Sequence, residues 1–199
     1  MKELSKLVVN AKQENKIISV DDAIEDLPSW EDFFGIFKSA LELSRSDKDG
    51  YRHLASYTFG TAGIDKSHML SEKLDSIVDI AKSIHKGEFM SALSIVHFLN
   101  ATDNDIPEEA KEFYEFFRSN CPEPVPPGFE QYMIPTRHSD PIDGIYVQCL
   151  GNTFWTAYYE DHVEKFALKP GDIIIIPKGV EHTVESLTPR VGLSLALAD

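Results

Sequence analysis

A chain of 199 residues has room for one domain with a sizeable core, and its 42% hydrophobic and 26% charged residues are ordinary for a soluble globular protein. No run of about 18 apolar residues reads as a membrane span. The formal charge of −14 and a pI near 4.8 repel phosphate backbones, which argues against broad nucleic-acid binding.

The opening stretch, MKELSKLVVNAKQENK, is too polar for a signal peptide, so a cytoplasmic protein without membrane attachment is expected. The first ~50 residues read as helical. Within them, Ser29 is a candidate N-cap with Asp32 three residues on, and Trp30, Phe33, Phe34, Phe37 and Leu41 recur at helical spacing. YRHLASYTFGT (51–61) reads as a strand ending at a glycine, and residues 71–85 as a second amphipathic helix. MSALSIVHFLN (90–100) reads as a buried strand, with a short helix as the lesser alternative. IPEEAKEFYEFFRSN reads as a helix with proline near its start and Phe113, Phe116 and Phe117 on one side. The prolines of CPEPVPPGFEQ exclude helix and central strand, so it is a connector. Cys121 and Cys149 form neither a disulfide framework nor a CxxC knuckle and read as free thiols.

From about residue 130 the character changes. EQYMIPTRHSD, GIYVQCL, NTFWTAYY, KFALK, GDIIIIP, HTVESL and VGLSLALA are short β-rich runs separated by turn residues, the pattern of an antiparallel barrel or sandwich. The predicted architecture is mainly β with a helical N-terminal portion packed outside the sheets. It is read as one domain over 1–199, with a helix-rich part and the first barrel strands in 1–125 and the core in 126–199.

Two stretches of this part carry chemistry. In RHSD, His138 and Asp140 are separated by one residue, so on a strand both point to the same side. In GDIIIIPKGVEH, a glycine, a buried isoleucine strand, a Pro177–Gly179 turn and His182 follow in order, at the spacing of a cupin motif. A strand followed by a tight turn brings His182 back to the mouth where His138 and Asp140 project. Two imidazoles and one carboxylate on one side of an ion are the donor set of non-haem Fe(II) oxygenases, and they leave positions open for substrate and O2.

Over 137–197, about a third of the chain, the sequence resembles the Jumonji-C and related cupin-type 2-oxoglutarate oxygenases, nearest the branch of the ribosomal-protein hydroxylases. The matching residues are His138, Asp140, Asp143, Gln148, Gly151, Trp155, Gly171, Asp172, Pro177, Gly179, His182 and Ser194. The resemblance implies a double-stranded β-helix with Fe(II) held by His138, Asp140 and His182. It also implies 2-oxoglutarate as cosubstrate, O2 as oxidant and hydroxylation of a small molecule or a protein side chain. Where this family places a Lys or Arg two residues after the glycine, to pair with the distal carboxylate of 2-oxoglutarate, the chain has Thr153. A hydroxyl brings one hydrogen bond and no charge. Arg190 is the candidate substitute cation, ahead of Arg137 and Lys165. The same residues are compatible with a cupin metalloenzyme that does not use 2-oxoglutarate, a direct dioxygenase or an isomerase, and with a non-catalytic ligand-binding cupin.

Other residues admit plainer readings. Asp143 suits a turn before Gly144 as well as a place behind the ligands, and Gln148 either lines the cavity or pairs across the sheet. Phe154, Trp155, Tyr158 and Tyr159 read as packing, and the isoleucine run as core. His53, His68, His85, His97 and His162 show no partner at ligand spacing and are assigned no role.

Overall fold

Helix α1 (Lys2–Glu14) turns an apolar stripe, including Val8 and Ala11, towards the body of the protein. The chain then enters strand β1 (Ile18–Val20), and a second helix, α2, spans residues 30–35. Strands β2 (Ala55–Thr58), β3 (Thr61–Asp65) and β4 (Phe89–His97) follow, then a short 3-10 turn (Glu108–Ala110) and helix α3 (Lys111–Asn120). The remainder is six strands: β5 (Gly144–Leu150), β6 (Thr153–Tyr158), β7 (Val163–Leu168), β8 (Ile173–Ile176), β9 (Glu181–Ser186) and β10 (Arg190–Leu197). This computed structural model describes residues 2–35, 38, 55–58, 61–65, 89–97, 104–120 and 137–197.

All pairing is antiparallel. A large sheet runs β1-β8-β5-β10-β4-β3-β2, and a small one runs β7-β6-β9. The two sheets face one another and form a double-stranded β-helix. The period of two in the strands sorts side chains into two cores. Tyr146, Ile174 and Ile176 of the large sheet meet Trp155, Ala157 and Leu168 of the small one, filling the barrel. The intervening residues, among them Ile145, Val147, Ile173, Ile175, Leu193 and Leu195, face away and are covered by Val8, Trp30, Phe33 and Phe113. The isoleucine run therefore belongs to both cores at once.

The N-terminal helical reading needs correction, because β1 lies within it. Ile18–Val20 adds to the edge of the large sheet beside β8. Three residues are too few to show a period, and only the β-branched Ile18 and Val20 signalled a strand. The helix start at Ser29 is as expected: Asp32 N–H donates to Ser29 Oγ at 3.2 Å, and Asp32 Oδ2 accepts from Ser29 N–H at 2.8 Å. The strand foreseen at 51–61 is a hairpin arm, paired with β3, for which no separate strand was expected. Strand β4 and the Phe113 helix occupy the expected places. The expected helix at 71–85, the proline-rich connector, Cys121, Phe37, Leu41 and the Phe117 side chain lie outside the described residues. No described helix is long and apolar enough to cross a membrane.

Candidate functional site

His138 and His182 meet through a single antiparallel bridge, with His138 N–H donating to His182 O at 3.0 Å and His182 N–H to His138 O at 2.7 Å. His138 is therefore held by one rung rather than by an extended strand, as the same-face argument assumed. Asp140 is fixed from the other side, where its carbonyl accepts Gly179 N–H at 2.9 Å. Gly179 has a φ of +80°, in the left-handed region that glycine enters without strain, and this lets the turn after Pro177 fold back towards Asp140.

One donor atom from each of His138, Asp140 and His182 lies within 4.8 Å of the others. The rings of the two histidines are 4.4 Å apart, and His182 Nε2 is 3.9 Å from Asp140 Oδ2. Burial grades across the trio: His182 is enclosed at 2% exposure, the Asp140 side chain is 43% exposed, and His138 faces solvent. Burial pushes the His182 pKa down, against the pull of the Val180 carbonyl, so the neutral ring is favoured. Its Nδ1 lies 3.0 Å from Val180 O, which can only accept, so Nδ1 carries the proton. Nε2 is left as a lone pair directed at the other donors, the tautomer a metal needs. The donor set therefore fits a borderline divalent ion such as Fe(II), and the exposed side leaves room for further ligands.

Behind His182 the barrel interior is polar in an ordered way. Trp155 stacks on His182 with ring centroids 5.5 Å apart, and Tyr146 lies 5.1 Å beyond Trp155. Trp155 Nε1–H donates to Thr153 Oγ1 at 3.0 Å, and the Thr153 hydroxyl donates to Gln148 Oε1 at 2.8 Å. The same Gln148 oxygen accepts the Tyr146 hydroxyl at 3.1 Å, and Tyr146 in turn accepts from Arg190 Nη1 at 2.5 Å. Arg190 Nε–H donates to Ser186 Oγ at 2.7 Å. The Tyr146 ring lies across Gly192, where a Cβ would come within 1.9 Å of its hydroxyl, so residue 192 has no space for a side chain.

Arg190 is only 7% exposed and forms no ion pair with a carboxylate among the described residues. A guanidinium carries five N–H groups, and with one on Ser186 and one on Tyr146, three remain without a protein acceptor among those residues. A buried cation in that state is expensive unless an anion completes it. The other two candidate cations are spent elsewhere. Arg137, at the rim, pairs with Glu181 and lies 4.3 Å from the Tyr158 ring centroid, while Lys165 is exposed beside Phe154.

Three further expectations can be placed. Gln148 points into the barrel and is fully buried. Asp143 does more than shape a turn, since its carboxylate accepts Lys178 N–H at 2.8 Å and pairs with Lys12 Nζ at 2.7 Å. His162, to which the sequence assigns no role, contacts Asp161 and Glu164 at the exposed start of β7, and the only metal-type donor group among the described residues is the His138, Asp140 and His182 trio. Tyr146 and Lys12 escaped the sequence reading. Tyr146 was signalled by parity, two residues before Gln148 on the same strand, whereas nothing local marks Lys12.

No protein-family model matches the chain, and neither does any curated protein sequence. Its fold does recur in solved structures. A structure of YcfD, a ribosomal oxygenase from Escherichia coli, is 14% identical with a TM-score of 0.54, over 92% of this chain and 48% of that one. YcfD in complex with cobalt and 2-oxoglutarate is 13% identical with a TM-score of 0.54, again over 92% and 48%. The chain thus spans about half the length of the structures it matches. At these identities the likeness is one of fold.

Proposed function

We propose that the protein is an Fe(II)- and 2-oxoglutarate-dependent oxygenase that hydroxylates a small molecule or a protein side chain, with His138, Asp140 and His182 as the iron ligands. The observation that carries this reading is that the same double-stranded β-helix brings together a metal-type donor trio and a buried guanidinium that has no carboxylate partner among the described residues. The likeness of fold to YcfD, which has been solved with 2-oxoglutarate, supports it. When bound, iron and 2-oxoglutarate would supply the oxidising power, with one oxygen atom of O2 entering a C–H bond and the other the succinate left when the cosubstrate loses CO2.

The chain's own residues then have distinct tasks. His182, locked in one tautomer by Val180, and Asp140, tethered through Gly179, fix two donors, while His138 closes the trio at the solvent side. Arg190 receives the distal carboxylate of 2-oxoglutarate with its unspent N–H groups, and Tyr146 holds the guanidinium in place. Thr153, with its proton directed to Gln148, supports this network and brings no charge. Trp155 covers the inner side of His182 and keeps water from it.

A cupin metalloenzyme without 2-oxoglutarate is the second reading. It is favoured by Thr153 standing where the resembling family has a cation and by the continuous hydrogen-bond chain that already engages Thr153, Gln148 and Tyr146. Anaerobic titration with Fe(II) and 2-oxoglutarate separates the two. The visible charge-transfer absorption of the chelate is expected; iron binding with no such band would reject the cosubstrate, and substrate-dependent O2 uptake without succinate would establish the second reading.

A further inference from the structure

Asp143 and Lys12 sit outside the donor trio, and their geometry ties them to it. Asp143 is 5% exposed, yet each of its carboxylate oxygens has a partner from a different part of the chain. Oδ1 accepts Lys178 N–H at 2.8 Å, in the turn between β8 and β9 that leads into His182. Oδ2 pairs at 2.7 Å with Nζ of Lys12, on the last turn of α1. One residue further along that turn, Gly179 N–H binds the Asp140 carbonyl, and three residues beyond Gly179 comes the His138–His182 bridge. The segment carrying His138 and Asp140 is thus stitched to the segment carrying His182 at successive points, and Asp143 makes the innermost stitch with a charged acceptor.

From this we propose that Lys12 and Asp143 are a positioning pair, through which helix α1 holds the two ligand-bearing segments at metal-binding separation. The inference rests on the metal reading given above. A carboxylate is the stronger acceptor for a backbone N–H when ionised, and a buried carboxylate stays ionised more readily beside a cation. Without Lys12 the charge loses its paired cation, the Lys178 contact weakens, and the turn is free to carry His182 away from Asp140. Outer partners of this kind commonly change metal affinity by about ten- to a hundred-fold.

The test is Mn(II) affinity, read from the electron paramagnetic resonance signal of the free ion, on the whole chain at neutral pH. The variants are Asp143→Asn, Lys12→Met, Lys12→Arg and the Lys12→Met/Asp143→Asn double. Asp143→Asn and Lys12→Met are expected to bind about ten- to a hundred-fold more weakly. The double should be no weaker than Asp143→Asn alone, and Lys12→Arg should stay near the native value. Lys12 is partly exposed, so its replacement keeps the comparison available even if Asp143→Asn fails to fold. Folded Lys12→Met with native Mn(II) affinity overturns the pairing, whatever its melting temperature. Absence of Mn(II) binding by the native chain would instead overturn the metal reading, and this inference with it.

Discussion

At the scale of single residues, the linear spacing carried most of the candidate site. His138, Asp140 and His182 stand at motif intervals, and their donor atoms do converge. What spacing cannot convey is protonation and partnership. That His182 keeps its proton on Nδ1 follows from where the Val180 carbonyl points, and that Arg190 has no acid beside it among the described residues follows from the fold around it. Arg190 was one of three candidate cations in the sequence, and burial in the barrel is what sets it apart from Arg137 and Lys165. Replacing it gives a clean separation of roles. Arg190→Met should weaken 2-oxoglutarate binding by about ten- to a hundred-fold, the scale of a lost charge-assisted hydrogen bond in a buried site. Mn(II) affinity should remain near native. Calorimetric titration of each ligand checks both, and unaltered 2-oxoglutarate binding would remove Arg190 from the cosubstrate site.

At the scale of elements, the C-terminal strands were legible because turn residues punctuate them and their side chains alternate. The elements that escaped are short or pair at a distance: β1 has three residues, and β3 was not separated from its hairpin partner. The docking of α1 was equally hidden, since the contact of Lys12 with Asp143 joins residues far apart in the chain. That contact has a pH signature. Burial raises the Asp143 pKa, but the Lys12 ammonium and the Lys178 N–H outweigh it and leave the carboxyl below its ordinary value. A carboxyl lowered in the folded state adds stability above its unfolded pKa of about 3.9 and loses it as pH falls through the folded value. Relative to Asp143→Asn, the native chain should be more stable at pH 6 to 7 by about 1–2 kcal/mol, a figure discounted for the partial exposure of Lys12. The gap should shrink steadily below pH ~4. Urea unfolding across that range measures it, and a gap independent of pH would mean that the asparagine perturbs packing rather than charge.

At the scale of the whole molecule, hydrophobic patterning predicted an antiparallel barrel or sandwich with helices outside, and the two cores on either side of the large sheet follow from side chains pointing alternately to its two faces. Alternation is silent in β8 itself, where four consecutive isoleucines serve both faces. Sliding this segment by one position would exchange isoleucine for isoleucine, so oil-and-water sorting offers no resistance to a shift that in other strands turns every side chain to the wrong face. The alignment must be set by its ends. Just before the run, buried Asp172 accepts Asp22 N–H and Lys169 N–H, each at 2.9 Å, and residues 171 and 172 exchange backbone hydrogen bonds with Gln148. Asp172→Ala should therefore produce doubled amide resonances along 173–182 in nuclear magnetic resonance spectra, where a merely destabilised but singly aligned chain would give one set. The four isoleucines act like a ruler without graduations, and the distance from its zero mark at Asp172 to His182 sets where the third member of the donor trio stands.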